Sequence, residues 1–78
     1  MKEPEEYEAV NGLLRMLGEK EIPEPASGTH QEKLEHLILV YTQRLKEKVP
    51  IYKSLPDDSL IPDSLLVFLR SKLKDLHQ

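Results

Sequence analysis

The three histidines are the side chains of this 78-residue chain most suited to metal binding. His30 and His36 are six positions apart, so a helix would carry them on different sides and not at the i, i+4 spacing of a helical zinc pair. Glu32 and His36 do have that spacing, which favours a solvated ion pair. His77 has no ligand partner at such a spacing. Since the chain also lacks cysteine, we expect neither a metal site nor a cofactor.

Paired carboxylates at Asp57 and Asp58, with Asp63 nearby, are the candidates for acid–base catalysis. Such work needs a cleft that excludes water and shifts a pKa. A chain this short, with its apolar residues committed to packing, leaves little room for one. Aspartates are also typical of helix starts. The sequence therefore predicts a protein that is not an enzyme, and catalysis ranks third among the functional hypotheses.

Cations occur in two local groups that could contact phosphates. The groups are Arg44, Lys46, Lys48 and Lys53, and Arg70, Lys72 and Lys74. Together on one face they would supply the six or so contacts of firm nucleic-acid binding. Cations also stabilise the C-terminal ends of helices, and antiparallel helices would hold the two groups at opposite ends. A net charge of −3 also argues against general binding to phosphates. A DNA- or RNA-binding regulator is therefore the second hypothesis.

The longest segment without proline or glycine predicts a helix over residues 30–48, around which the other elements are arranged. Thr29 and Glu32 have the spacing of a capping box, and Pro50 ends the pattern. Its apolar residues recur at three- and four-residue steps and predict one buried face. They are Leu34, Leu37, Ile38, Tyr41 and Leu45.

A first helix is predicted over residues 4–17. Pro4 would occupy the first helical position, and Gly18 would end the helix in a left-handed conformation. The predicted buried residues are Tyr7, Val10, Leu13, Leu14 and Leu17. Residues 18–28 form a strap stiffened by two prolines, which could dock helix 1 on its own body or on a second copy.

The connection at residues 50–61 carries five large apolar residues, so we expect it to lie back over the core. Two similar segments lie side by side from Leu55 onward, at residues 55–60 and 61–66, and each has a Pro-Asp pair at its second and third positions. Each proline is predicted at a first helical position. The first segment predicts a short helical turn, and the second predicts the start of a helix over residues 62–76.

These elements predict an all-α fold in one domain, residues 1–78. It is a small three-helix bundle in which helices 2 and 3 form an antiparallel hairpin and helix 1 is strapped across it. No segment alternates apolar and polar residues in the way a strand would. Neither a membrane-spanning apolar run nor a signal peptide is recognisable, which predicts a soluble, cytoplasmic protein.

Several apolar residues do not fit the predicted core faces and form the candidate interaction surface. They are Leu39, Val40, Tyr52, Leu55, Val67 and Phe68. Leu39 in particular points away from the helix 2 stripe. The leading hypothesis is therefore a protein-interaction or regulatory module that binds another protein or a second copy of itself. In the alternative, helix 1 and the connection cover both other helices within one chain.

Overall fold

Within residues 5–77, the part that the structure, a computed structural model, describes, the regular secondary structure is helical. These residues form three α-helices: α1 at Glu5–Met16, α2 at His30–Lys48 and α3 at Ser64–Leu76. Two short 3₁₀ helices, Pro50–Ser54 and Asp58–Leu60, lie in the connection between α2 and α3. Those residues contain no strand. The predicted all-α class is confirmed.

Local signals at both ends set the bounds of α2. The Thr29 hydroxyl accepts a hydrogen bond from the Glu32 amide at 3.1 Å, and the Glu32 carboxylate accepts one from the Thr29 amide at 2.9 Å. Hydrogen bonding of the Glu32 carboxylate by the Thr29 backbone, and then by its side chain, holds the pKa of Glu32 below its usual value. At the other end the Val49 amide donates to the Leu45 carbonyl at 2.8 Å, and Pro50 then begins a 3₁₀ turn. The capping box is present as predicted.

Gly18 ends α1 in the left-handed conformation that the sequence predicts, with φ of +72°. The Glu19 amide donates to the Leu14 carbonyl at 2.8 Å, and the Gly18 amide donates to the Arg15 carbonyl at 3.1 Å. This pair of bonds is a Schellman motif, which satisfies carbonyls at the end of the helix. The predicted role of Pro4 falls outside the described residues.

α3 begins two residues later than predicted, because Asp63 caps the helix and Pro62 stands before the cap. The Asp63 carboxylate accepts hydrogen bonds from the Leu66 amide at 2.9 Å and from the Tyr41 hydroxyl at 3.2 Å. In the earlier segment Asp57 likewise caps its short helix. The expectation that the prolines occupy first helical positions is therefore wrong. A carboxylate at the cap accepts a hydrogen bond from an amide that has no partner within the helix. A proline at the first helical position only removes one such amide.

The core lies along α2, with residues from α1, the strap, the connection and α3 packed against it. Its buried apolar residues are Tyr7, Val10, Leu14, Ile22, Leu34, Leu37, Tyr41, Leu45, Ile61, Leu66 and Leu69. α3 starts beside Tyr41 and runs back along α2 as the second arm of an antiparallel hairpin. The connection does lie over the core, since Tyr52 and Leu55 pack against it.

α1 lies beside α2 and runs in the same direction. Near the first turns of the two helices the Tyr7 hydroxyl donates to the Lys33 carbonyl at 2.7 Å. At the other end of the pair, Lys48 in the last turn of α2 is paired with Glu19, which follows α1. The strap then returns along both helices to the start of α2. Within the single chain, α1 therefore docks on its own body.

Candidate interaction surface

The six residues predicted to form an interaction surface divide into two groups. Leu39 is 60% exposed and Val67 is 58% exposed. Val40, Tyr52, Leu55 and Phe68 are half-buried and pack against the core. Four of the six therefore contribute to intramolecular packing. The remaining two are single exposed side chains, each on a different helix.

A larger exposed apolar surface lies on α1. Met16 is 85% exposed and Leu17 is 56% exposed, although the sequence predicts Leu17 to be buried. Ala9 is also exposed, and Leu13 is half-buried. These four residues, here called the α1 stripe, lie within about 100° of the helix circumference and span two turns. The stripe is a second apolar face of α1, separate from the one that packs into the core.

A shallow cleft between α1 and α2 continues the α1 stripe. It is lined by Leu13, Leu14, Leu17, Glu19, Tyr41, Arg44, Leu45 and Lys48, and its cavity volume is about 20 Å³. That volume admits a water molecule and nothing much larger. Lys48 pairs with Glu19 at the rim, and Arg44 donates to the Lys20 carbonyl there. The cleft thus has an apolar floor and a charged rim.

A side-chain pairing in the strap explains why α1 leaves this stripe outside. The Asn11 carboxamide donates to the Ile22 carbonyl at 2.9 Å, and its oxygen accepts from the Ile22 amide at 2.7 Å. Both residues are buried. The pairing fixes the strap on the Asn11 side of α1 and turns that side toward the core. Leu17, on the far side, is consequently left half in solvent.

Glu6 and His30 add a second polar contact between α1 and α2. The Glu6 carboxylate is buried and lies 2.9 Å from His30 Nε2. Glu6, Asn11 and Ile22 are the residues of this region that sequence reasoning misses. Hydrophobic periodicity assigns Glu and Asn to the surface by default. For Ile22 a signal did exist, because it is the one large apolar residue in the strap.

Many of the cations that could contact phosphates are engaged within the chain. Lys46 lies 2.7 Å from Asp58, and Arg44 donates to the Lys20 carbonyl. Lys72 lies over the Phe68 ring, 5.5 Å from its centroid. Lys48 is paired with Glu19, as described above. The ion pairs of Lys46 and Lys48 offset positive charge that nucleic-acid binding would use.

Comparisons with protein-family models, with curated proteins and with solved structures give no match for this sequence. None of the helices within residues 5–77 has the length and apolarity of a membrane span. The same residues contain no group of three or more His, Asp or Glu side chains placed to hold a metal ion.

Proposed function

We propose that the protein is a non-enzymatic helical interaction module that binds another protein through exposed apolar surface, with a second copy of itself as the first partner. The observation that carries this proposal is the α1 stripe, which spans two helical turns and runs into an apolar cleft. Burial of apolar area contributes about 25 cal/mol per Å². A chain of this size has a small core, so association would also stabilise its fold.

The two other hypotheses are less well supported by the same surface. Nucleic-acid binding needs several free cations on one face, and Lys46 and Lys48 are each paired with a carboxylate of the chain. Catalysis needs a pocket that encloses a substrate, commonly about 300 Å³ or more. The cleft between α1 and α2 holds about 20 Å³. A protein-binding role requires neither feature.

Sedimentation equilibrium from about 1 to 500 µM, a range that covers micromolar and weaker dissociation constants, tests the proposal. We expect the apparent mass to rise from 9.0 kDa toward twice that value as concentration increases. A mass that stays at the monomer value throughout refutes self-association. Electrophoresis with a mixed-sequence DNA at low salt tests the second hypothesis, and a retarded band lost by about 0.2 M salt would favour it.

A further inference from the structure

We propose that two copies associate through their α1 stripes, with the two α1 helices antiparallel about a twofold axis beside Leu13. This inference rests on the self-association proposed above and specifies its surface and geometry. In an interface of this kind the same residues of each copy face one another. The α1 stripe and the charges that flank it must therefore be complementary to the same surface in reverse. Both the flanking charges and the side-chain sizes meet this condition.

The charges at the two ends of α1 have opposite sign. Near the first turn Glu5 and Glu8 are exposed. Around the last turn and the cleft rim, cations outnumber carboxylates four to two, so the net charge there is positive. The cations are Arg15, Lys20, Arg44 and Lys48, and the carboxylates are Glu19 and Glu21. An antiparallel pair brings the acidic end of each helix to the basic end of the other. A parallel pair would instead oppose like charges, which is unfavourable.

The side chains of the α1 stripe are also graded in size. Ala9 is the small residue at one end, and Leu17 is a large residue at the other. Each is four positions from Leu13. Reversal about Leu13 therefore seats Leu17 of each copy over Ala9 of its partner. Alternating large and small residues across facing helices fill the space between them without strain.

Other exposed apolar residues lack this continuity. Leu39 has Glu35, Gln43 and Lys46 for neighbours on its side of α2. A single exposed leucine in such surroundings is ordinary. Ile51 lies in a short 3₁₀ helix and offers no second turn to extend the contact. Of these surfaces, the α1 stripe is the one suited to packing against a helix.

Substitution at Met16 tests which surface is used. Met16→Glu replaces an 85% exposed side chain and places a carboxylate opposite the partner's acidic end. We therefore expect the dissociation constant of the dimer to rise about tenfold or more. Ile51→Glu is the matched control, since Ile51 is 71% exposed and lies off the stripe. It should leave the dimer unchanged. Far-UV circular dichroism should show the same helical content for both variants, because neither site is in the core.

Disulfide trapping tests the geometry, and the chain suits it because it has no cysteine of its own. Ala9→Cys mixed with Leu17→Cys should form a crosslinked dimer under mild oxidation, since the two positions face each other. Ala9→Cys alone should not, because its two sulfur-bearing positions would be about 12 Å apart, at 1.5 Å per residue, beyond the roughly 7 Å limit of a disulfide. Rapid crosslinking of Ala9→Cys alone would overturn the antiparallel arrangement.

The outcomes separate this inference from the function it rests on. A wild-type protein that is monomeric at every concentration refutes both. A wild-type dimer that survives Met16→Glu but dissociates with Ile51→Glu or Leu39→Glu refutes the α1 interface and leaves self-association standing. A dimer lost with Met16→Glu alone, and trapped only by the mixed cysteine pair, is the result we expect.

Discussion

The pairing between Asn11 and Ile22 holds the strap on α1, and its removal should be costly. Asn11→Ala deletes two hydrogen bonds and leaves the amide and carbonyl of a buried residue without partners. Each group left without its partner costs about 1–3 kcal/mol, so we expect a loss of about 2–6 kcal/mol. A chain of this length has roughly 4–12 kcal/mol of stability in total. The melting temperature should therefore fall by about 8 °C or more.

Urea titration followed by circular dichroism measures this loss, and hydrogen exchange at the Ile22 amide locates it. The matched control is Gln43→Ala, which truncates an exposed carboxamide and should change the free energy of unfolding by less than about 0.5 kcal/mol. In Asn11→Ala the Ile22 amide should exchange at a rate set by local opening of the strap. Amides in the middle of α2 should lose only the protection that reflects the global change.

Asn11→Asp gives the same prediction a dependence on pH. The introduced carboxylate can still accept from the Ile22 amide, but its second oxygen would face the Ile22 carbonyl. Burial and that carbonyl favour the protonated form, so the pKa of the new group is raised in the folded state. Its stabilising contribution is then complete below the unfolded pKa of about 3.9 and is lost as pH rises through the folded pKa. The variant should gain stability relative to wild type on acidification.

Two results would refute this reasoning. If Asn11→Ala costs less than about 1 kcal/mol, the backbone of Ile22 finds other partners and the pairing is not what fixes the strap. If Asn11→Asp instead loses stability relative to wild type between pH 7 and pH 4, donation to the Ile22 carbonyl has no role.

Four further changes have definite expected outcomes. Thr42→Val removes a buried hydroxyl that has no hydrogen-bond partner within the described part of the chain, so the free energy of unfolding in urea should rise by about 0.5–1 kcal/mol. Gly12→Ala should stabilise by up to about 1 kcal/mol in the same assay, because the added Cβ meets nothing nearer than 3.9 Å; a loss would mean that another chain packs there. Asp63→Ala removes both the α3 cap and the acceptor of the Tyr41 hydroxyl and should cost about 2 kcal/mol, more than Asp63→Asn, which retains a capping side chain. Burial raises the pKa of Tyr7 to about 12. The stability that its protonated hydroxyl contributes is therefore complete below pH 10 and is lost as pH rises toward 12. Phenolate absorbance and circular dichroism should then change together.

Sequence reasoning locates the elements whose signals are local. Thr29, Glu32 and Pro50 set the ends of α2, and each acts within four residues of the helix terminus it controls. Gly18 does the same for α1. The start of α3 is not set by local residues alone, because a Pro-Asp pair allows either the proline at the first helical position or the aspartate at the cap. The Tyr41 hydroxyl, twenty-two positions before Asp63, donates a hydrogen bond to the Asp63 carboxylate at the cap. This bond favours the start with Asp63 at the cap, and local sequence does not reveal it.

The orientation of α1 could not be predicted in this way. Its apolar residues fall on a broad arc, and Leu13 and Leu17 are as apolar as Leu14. The choice among them depends on partners distant in sequence. Asn11 bonds to a residue eleven positions away, and Glu6 bonds to one twenty-four positions away. Periodicity does not encode such pairs. The face of α1 that the sequence assigns to the core therefore includes Leu13 and Leu17, which belong to the exposed α1 stripe.

The same contacts show that the two ends of α1 differ in their surroundings. Its first half is held by polar bonds that are satisfied inside the chain, through Glu6, Tyr7 and Asn11. Its second half keeps Met16 and Leu17 in solvent, beside a cleft with an apolar floor. A helix that served only to complete the core would gain about 1.5–3 kcal/mol by burying each of those side chains. That gain is forgone within the single chain. In the dimer that we propose, it becomes available when a second copy packs against α1, so the proposal makes the orientation fixed by Asn11 a condition for association.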